Sequence, residues 1–206
     1  MEHSNLTSPV NPEQSVVGYI INTGLSDHLA DEVHKIQASL AEEFPGAIWS
    51  APRKSLHITL MDWLAPLVDY GQDKDELFPS LESEYVNVLE DILKNQDSIN
   101  VLFDRIEVYP AAIIIKGRDD GSYQRIRSQF LDRIDLLPDT KPPGQIVHST
   151  ICKFLQPINI DDIKSFAGSM SLAVSEEINE FRLARESQMF MQRYEVLRRF
   201  TLAHRN

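Results

Sequence analysis

The feature that most constrains this chain is a repeat. The pattern His-x-Thr occurs twice, as His57-Ile58-Thr59 and His148-Ser149-Thr150, each inside a stretch that alternates as a strand does. Both copies close the same succession of elements. In the first, Val16 to Asn22 is rich in β-formers, and the next segment carries Leu29, Val33, Ile36, Leu40 and Phe44 at helical spacing, with Asp27 as its cap. Pro45-Gly46 stops that helix ahead of the strand Leu56 to Leu60. In the second, Ala111 to Lys116 is the strand, Ser122 to Leu137 the helix with Ile126, Phe130, Ile134 and Leu137 on one stripe, and Val147 to Phe154 the motif strand. Gly18 stands 39 residues before His57, and Ile113 stands 35 before His148.

The remaining segments complete two related lobes. A helix is predicted from Asp75 to Asn95, then an extended run Ile99 to Tyr109 that makes a hairpin with Ala111 to Lys116 about Pro110. A short helix, Asp161 to Met170, leads to a strand Ile178 to Glu186, on which the closing strand Phe190 to Leu202 pairs back. Hairpins at two places without strict βαβα alternation point to an α+β fold. The expected architecture is bilobal and pseudo-twofold, with two mainly antiparallel sheets around a central cleft and helices outside. Residues 16–206 form one domain, with an internal repeat of about 16–109 and 111–202, and polar Met1 to Ser15 is a frayed tail.

Charge and cysteine content narrow the function. Twenty Lys+Arg against 31 Asp+Glu leave a net −11, so the surface repels polyanions and a duplex-DNA partner is not expected; a nucleic-acid substrate would be short or locally gripped. The single Cys152 forms no intrachain disulfide, which fits a reduced, cytoplasmic protein. The longest apolar runs are strand length and exclude membrane insertion. No G-x-G-x-x-G, P-loop, H-E-x-x-H, Cys pair or G-x-S-x-G occurs, so no dinucleotide, zinc or serine-hydrolase chemistry is indicated; no cofactor, metal or obligate protein partner is expected.

On a strand, residues two apart share a face, so His57 lies with Thr59 and His148 with Thr150, while Ile58 and Ile151 face the core. A lone His-x-Thr is usually an ordinary strand fragment. If the halves of the repeat are related by a pseudo-twofold axis, the two copies bring two imidazoles and two hydroxyls to one cleft. That set suits metal-free phosphodiester cleavage: a neutral His takes a proton from the nucleophile, a protonated His gives one to the leaving oxygen, and hydroxyls hold the non-bridging oxygens.

Leu56-His57-Ile58-Thr59-Leu60, preceded by Trp49 and Pro52 and matched by His148-Ser149-Thr150-Ile151, resembles the paired signatures of the two-histidine (2H) phosphoesterase superfamily, the RNA-ligase-like cyclic phosphodiesterases. The ending Arg193 to Leu197 with Phe200-Thr201-Leu202 also resembles that family's closing strand, so the likeness runs from Val16 to Leu202. The resemblance implies metal-independent cleavage of RNA-type phosphodiesters, 2′,3′-cyclic or 2′-5′ linked, with His57 and His148 as the acid/base pair and Thr59 and Thr150 on the phosphate. Asp62-Trp63-Leu64 stands where the family often has Phe-Leu-Gly, and Val147 where it often has Pro. Those departures bear on which substrate is taken.

Two further residues are candidates for substrate contact. Trp63 lies on the His57 face by alternation and would stack a base, unless it is a rim or core aromatic. Lys153 sits where the family often has a basic residue, although alternation turns it away from His148 unless a bulge intervenes. Arg53 and Lys54 are further cations near the first motif. Cys152 shares the His148 face by alternation and reads as a small buried filler. His28, His34, His3 and His204 read as surface residues. The expected function is a phosphodiesterase acting on a small nucleotide or short RNA end; a non-catalytic nucleotide- or RNA-binding module on the same fold is the alternative.

Overall fold

The computed structural model describes residues 5–203; His3 and His204 lie outside them. Two antiparallel sheets face each other with helices against their outer sides. The first sheet has the order β3-β1-β8-β9, from β1 (Ser15–Gly24), β3 (His57–Leu64), β8 (Glu180–Gln188) and β9 (Arg193–Thr201). The second has the order β2-β6-β5-β4-β7, from β2 (Ile48–Ser50), β4 (Ile99–Tyr109), β5 (Ala112–Arg118), β6 (Val147–Phe154) and β7 (Val174–Ile178). The helices are α1 (Asp27–Glu43), α2 (Lys74–Leu93), α3 (Ser122–Leu131) and α4 (Ile160–Ala167). The predicted α+β fold and both hairpins are present: β4 pairs with β5, and β8 with β9. Each sheet is completed by strands from the other half of the sequence, since β4 joins the second sheet and β8–β9 join the first.

Local chemistry accounts for the element ends, several of which differ from the expected ones. Ser26, rather than Asp27, caps α1: its Oγ accepts the Leu29 N–H at 3.2 Å while its own N–H and O–H donate to the buried Glu176 carboxylate, each at 2.6 Å. The α1 stripe Leu29, Val33, Ile36 and Leu40 is buried as its spacing requires. Helix α3 ends at Leu131, six residues early; Ile134 is buried from the following turn, so the helical spacing continues after the helix stops. The run predicted as one strand from Ile178 to Glu186 divides at Asn179, with β7 on the second sheet and β8 on the first. The last strand begins at Arg193, because Met189–Met191 form a tight turn.

The segment expected to fray makes contacts from Asn5 onward. Leu6 bridges Asn159, Thr7 is buried with its N–H on the Ile158 carbonyl at 2.8 Å, and the Val10 N–H reaches the Phe154 carbonyl at 2.9 Å. The Val10 bond falls on the last residue of the second motif strand, and the others hold the segment that follows it. No helix among the described residues is long and apolar enough to cross a membrane.

Candidate active site

Both motif strands carry an irregularity just beyond the Thr, and it decides which side chains reach the cleft. In β3, the register against β1 slips between the pairs Asn22–Thr59 and Ile21–Met61, so Leu60 and Met61 are both buried. In β6, the register against β5 slips between Ile114–Thr150 and Ile113–Cys152, and Ile151 and Cys152 are both buried. An extra residue in a strand reverses the alternation after it. The residue five places after each His therefore returns to the His face: Asp62 in the first repeat, Lys153 in the second.

The cleft follows from this. A cavity of about 310 Å³ lies between the sheets, walled by His57, Thr59 and Asp62 of β3, Thr150 and Lys153 of β6, and Trp49, Glu186 and Phe190 among others. His148 is not among its walls, although it shares the face of Thr150, which is, and its charge acts on His57. The two imidazoles come from strands of different sheets that run against each other.

His57 is tethered through its ring: Nδ1 lies 2.7 Å from the Ser55 carbonyl, two residues back. An Nδ1–H donated to a carbonyl leaves Nε2 as the free ring nitrogen. Burial pushes His57 down to about 4, with the Arg182 and His148 charges adding to the fall and the Ser55 carbonyl opposing it. His148 is also held below the ordinary histidine range, by burial first and then by Arg127, against the opposing Ile146 bond.

The cleft holds two carboxyls that the sequence reading did not single out. Burial raises Asp62 to about 6; it raises Glu186 to about 7, with the Asp62 charge adding and the Met191 N–H opposing. Glu186 accepts that N–H at 2.6 Å, and the Ser55 hydroxyl donates to the Met191 carbonyl at 3.0 Å. These bonds hold a strained turn, in which Phe190 (φ 61°) and Met191 (φ 57°) are both left-handed non-glycine residues. The turn carries Phe190 to Trp49, ring centroids 5.4 Å apart, and beneath Lys153, whose Nζ lies 4.8 Å from the Phe190 centroid. Burial holds Lys153 below the ordinary lysine range.

The predicted site residues thus divide. His57, Thr59, Thr150 and Lys153 are brought to the cavity, while His148 does not line it but acts on His57 through its charge. Trp63 is not: the slip at Leu60–Met61 turns it into the core, where it is fully buried with its ring centroid 5.3 Å from Tyr85 and 6.1 Å from Phe130. It can stack no base. Cys152 is turned from the His148 face into the core, and burial pushes its thiol up to about 12. Arg53 is occupied by Asp27 and Asp31. His28 and His34 are exposed on α1.

A residue the sequence did not flag joins the two motifs. Arg127 of α3, 3% exposed, donates to the Leu60 carbonyl at 2.7 Å and the Thr59 carbonyl at 2.9 Å, and to the Gly144 and Ile146 carbonyls at 2.7 and 3.3 Å. One guanidinium therefore ties the irregular part of β3 to the approach of β6. Among the described residues no group of three His, Cys, Asp or Glu side chains is arranged to hold a metal ion.

No protein-family model matches this chain, and no curated protein matches it. Solved structures do. TT0787 of Thermus thermophilus is similar at TM-score 0.62 and 15% identity, covering 92% of this chain and 100% of its own. E. coli LigT is similar at TM-score 0.56 and 14% identity over 93% and 100%. A structure described only as a phosphoesterase is similar at TM-score 0.58 and 17% identity over 91% and 99%. The chain has the fold of the two-histidine phosphoesterases.

Proposed function

We propose that this protein is a metal-independent phosphodiesterase of the two-histidine superfamily, acting on a small nucleotide or RNA-end phosphodiester, either a 2′,3′-cyclic phosphate or a 2′-5′ linkage. The observation that carries the reading is the doubled geometry: two His-x-Thr strands from different sheets meet at one cavity, each with its Thr in the wall, and His57 is held through Nδ1 on the Ser55 carbonyl.

His57, neutral down to about pH 4, serves as the base. With Nδ1–H on Ser55, its Nε2 lone pair takes the proton of the attacking water as the new P–O bond forms. His148 as imidazolium gives a proton to the leaving ribose oxygen as the old P–O bond breaks. The substrate's own anionic charge favours that protonated state. The hydroxyls of Thr59 and Thr150 donate to the non-bridging oxygens, and Lys153 offsets their charge. Trp49 and Phe190 supply the aromatic surface for a base.

E. coli LigT has been solved with 3′-AMP, with NADP+ and with ATP, which supports a ligand of nucleotide size. The net −11 charge and unpaired Cys152 fit a cytoplasmic protein acting on small ligands. One observation favours the binding-only reading: both imidazoles are held below the ordinary range, which leaves little acid ready in the free protein at neutral pH.

The test is a panel of 2′,3′-cyclic nucleotides, 2′-5′ dinucleotides and 3′-5′ dinucleotides incubated in chelator, with products identified by mass. Cleavage within the first two classes is expected. Nucleotide binding with a uniformly inert panel would transfer the site to the binding module.

A further inference from the structure

The first sheet carries one more cation on its cleft face. Thr59 of β3 pairs with Asn22 of β1, and Asn22 pairs with Arg182 of β8. Directly paired residues on neighbouring strands share a face, so Arg182 lies in the same row as Thr59. Its guanidinium is fixed on several sides. Nε donates to the fully buried Asn22 Oδ1 at 2.6 Å, and the guanidinium carbon lies 5.1 Å from the Tyr194 ring centroid.

Gly24 completes the seat. A Cβ there would stand 3.4 and 3.5 Å from the two Nη atoms, so the Nη end of the guanidinium lies against a residue without a side chain. Gly24 is the strand partner of His57. The guanidinium is therefore on the His57 side of the sheet, and its charge acts on that imidazole.

Arg182 has no carboxylate within ion-pair distance among the described residues, whereas Arg185 and Arg199 each hold one and Arg53 holds two. Arg127 and Arg193 also lack a carboxylate, but Arg127 spends its donors on four backbone carbonyls and Arg193 is exposed, whereas the half-buried Arg182 is held through Nε alone and keeps both Nη groups without a hydrogen-bond acceptor among the described residues. Ordering and partly desolvating a lone cation costs free energy, which an anionic ligand offsets.

We propose that Arg182, steered by Asn22, is a substrate-binding residue that takes phosphate oxygens through its two Nη atoms on the His57 side of the cleft. The planar fork matches two oxygens of one phosphate, which a lysine cannot reproduce. With Lys153 on the opposite strand, the substrate phosphate is flanked by a cation from each sheet. The identity of the substrate rests on the phosphodiesterase reading; the anion site does not.

The experiment is calorimetric titration of the full chain with inorganic phosphate, 3′-AMP and a 2′-5′ dinucleotide. The proteins are wild type, Arg182→Gln, Arg182→Lys and the control Arg199→Gln, which removes an exposed arginine held by Glu180. Arg182→Gln is expected to weaken phosphate and 3′-AMP about tenfold or more, Arg182→Lys to recover part of that, and Arg199→Gln to stay within about twofold.

The His57 midpoint, followed by NMR without ligand, should rise in Arg182→Gln, which checks the placement independently of folding losses. Equal phosphate affinity in Arg182→Gln and wild type, or no phosphate binding by wild type, overturns the proposal. Phosphate binding through Arg182 in a protein inert on every phosphodiester leaves the anion site standing and removes the enzyme reading.

Discussion

Replacing Arg127 by Met should damage the whole molecule although the residue touches no surface. The guanidinium is 3% exposed and donates to four backbone carbonyls on two segments, three of the bonds at 2.9 Å or shorter. Methionine fills much of the volume and restores none of the donors. A buried acceptor left unsatisfied costs about 1–3 kcal/mol, so three strong bonds set a loss of about 3–5 kcal/mol, discounting the higher values because the strands can relax. For a domain of this size, each kcal/mol is worth roughly 2–4 °C, giving a fall of roughly 6–20 °C in a thermal melt followed by circular dichroism. Arg127→Lys should fall between, since one ammonium cannot serve both strands. The His148 midpoint should rise in Arg127→Met, because a neighbouring positive charge is removed. A melting temperature within about 2 °C of wild type would show that the clamp is not what joins the motif strands.

Three further outcomes follow from the cleft. Asp62 keeps its proton in the folded chain up to about pH 6, while the unfolded chain releases it near pH 4, so the folded state binds more protons across that window and this residue's contribution to stability falls as pH rises. The stability of Asp62→Asn relative to wild type should therefore increase from pH 4 to pH 6 in urea titrations, and a pH-independent difference would contradict it. His57 runs the opposite way: lowered to about 4, its contribution is present above the ordinary histidine value and lost as pH falls towards 4, so the two slopes separate only in the single variants. Ile58→Ala and Ile151→Ala, both at fully buried positions, should each cost about 2–5 kcal/mol in denaturant titrations, while Thr59→Ala and Thr150→Ala stay within about 1 kcal/mol; reversed values would mean the strand faces are misassigned. Trp49→Ala should weaken 3′-AMP by about 1–3 kcal/mol and leave inorganic phosphate unchanged in calorimetry, whereas equal loss for both ligands would remove the stacking role.

The repeat was readable because each copy sits in a local pattern: helical spacing in α1 and α3, and alternation around His57 and His148. Alternation holds only until a strand gains a residue, and nothing in Leu60-Met61 or Ile151-Cys152 announces the slip. Those two irregularities exchanged Trp63 for Asp62 and Cys152 for Lys153 at the cleft. The division at Asn179 was hidden because both sides read as β, and only pairing partners from distant segments separate them. Arg127 and Arg182 were invisible for a related reason. An arginine in a helix or strand reads as a solvated charge until the carbonyls or the unpaired neighbour that surround it are known.

The proposed pairing of His57 and His148 as one acid/base unit is tested most directly by single-turnover cleavage of the preferred panel substrate in chelator by wild type, His57→Ala, His148→Ala and the double variant. Each single variant should lose about a hundredfold or more in the chemical step, and the double variant should be little slower than the slower single, because groups acting in one step are not additive. Thermal melts should keep all four folded at the assay temperature. Either histidine variant retaining the wild-type rate, or losses that multiply in the double variant, would contradict the account.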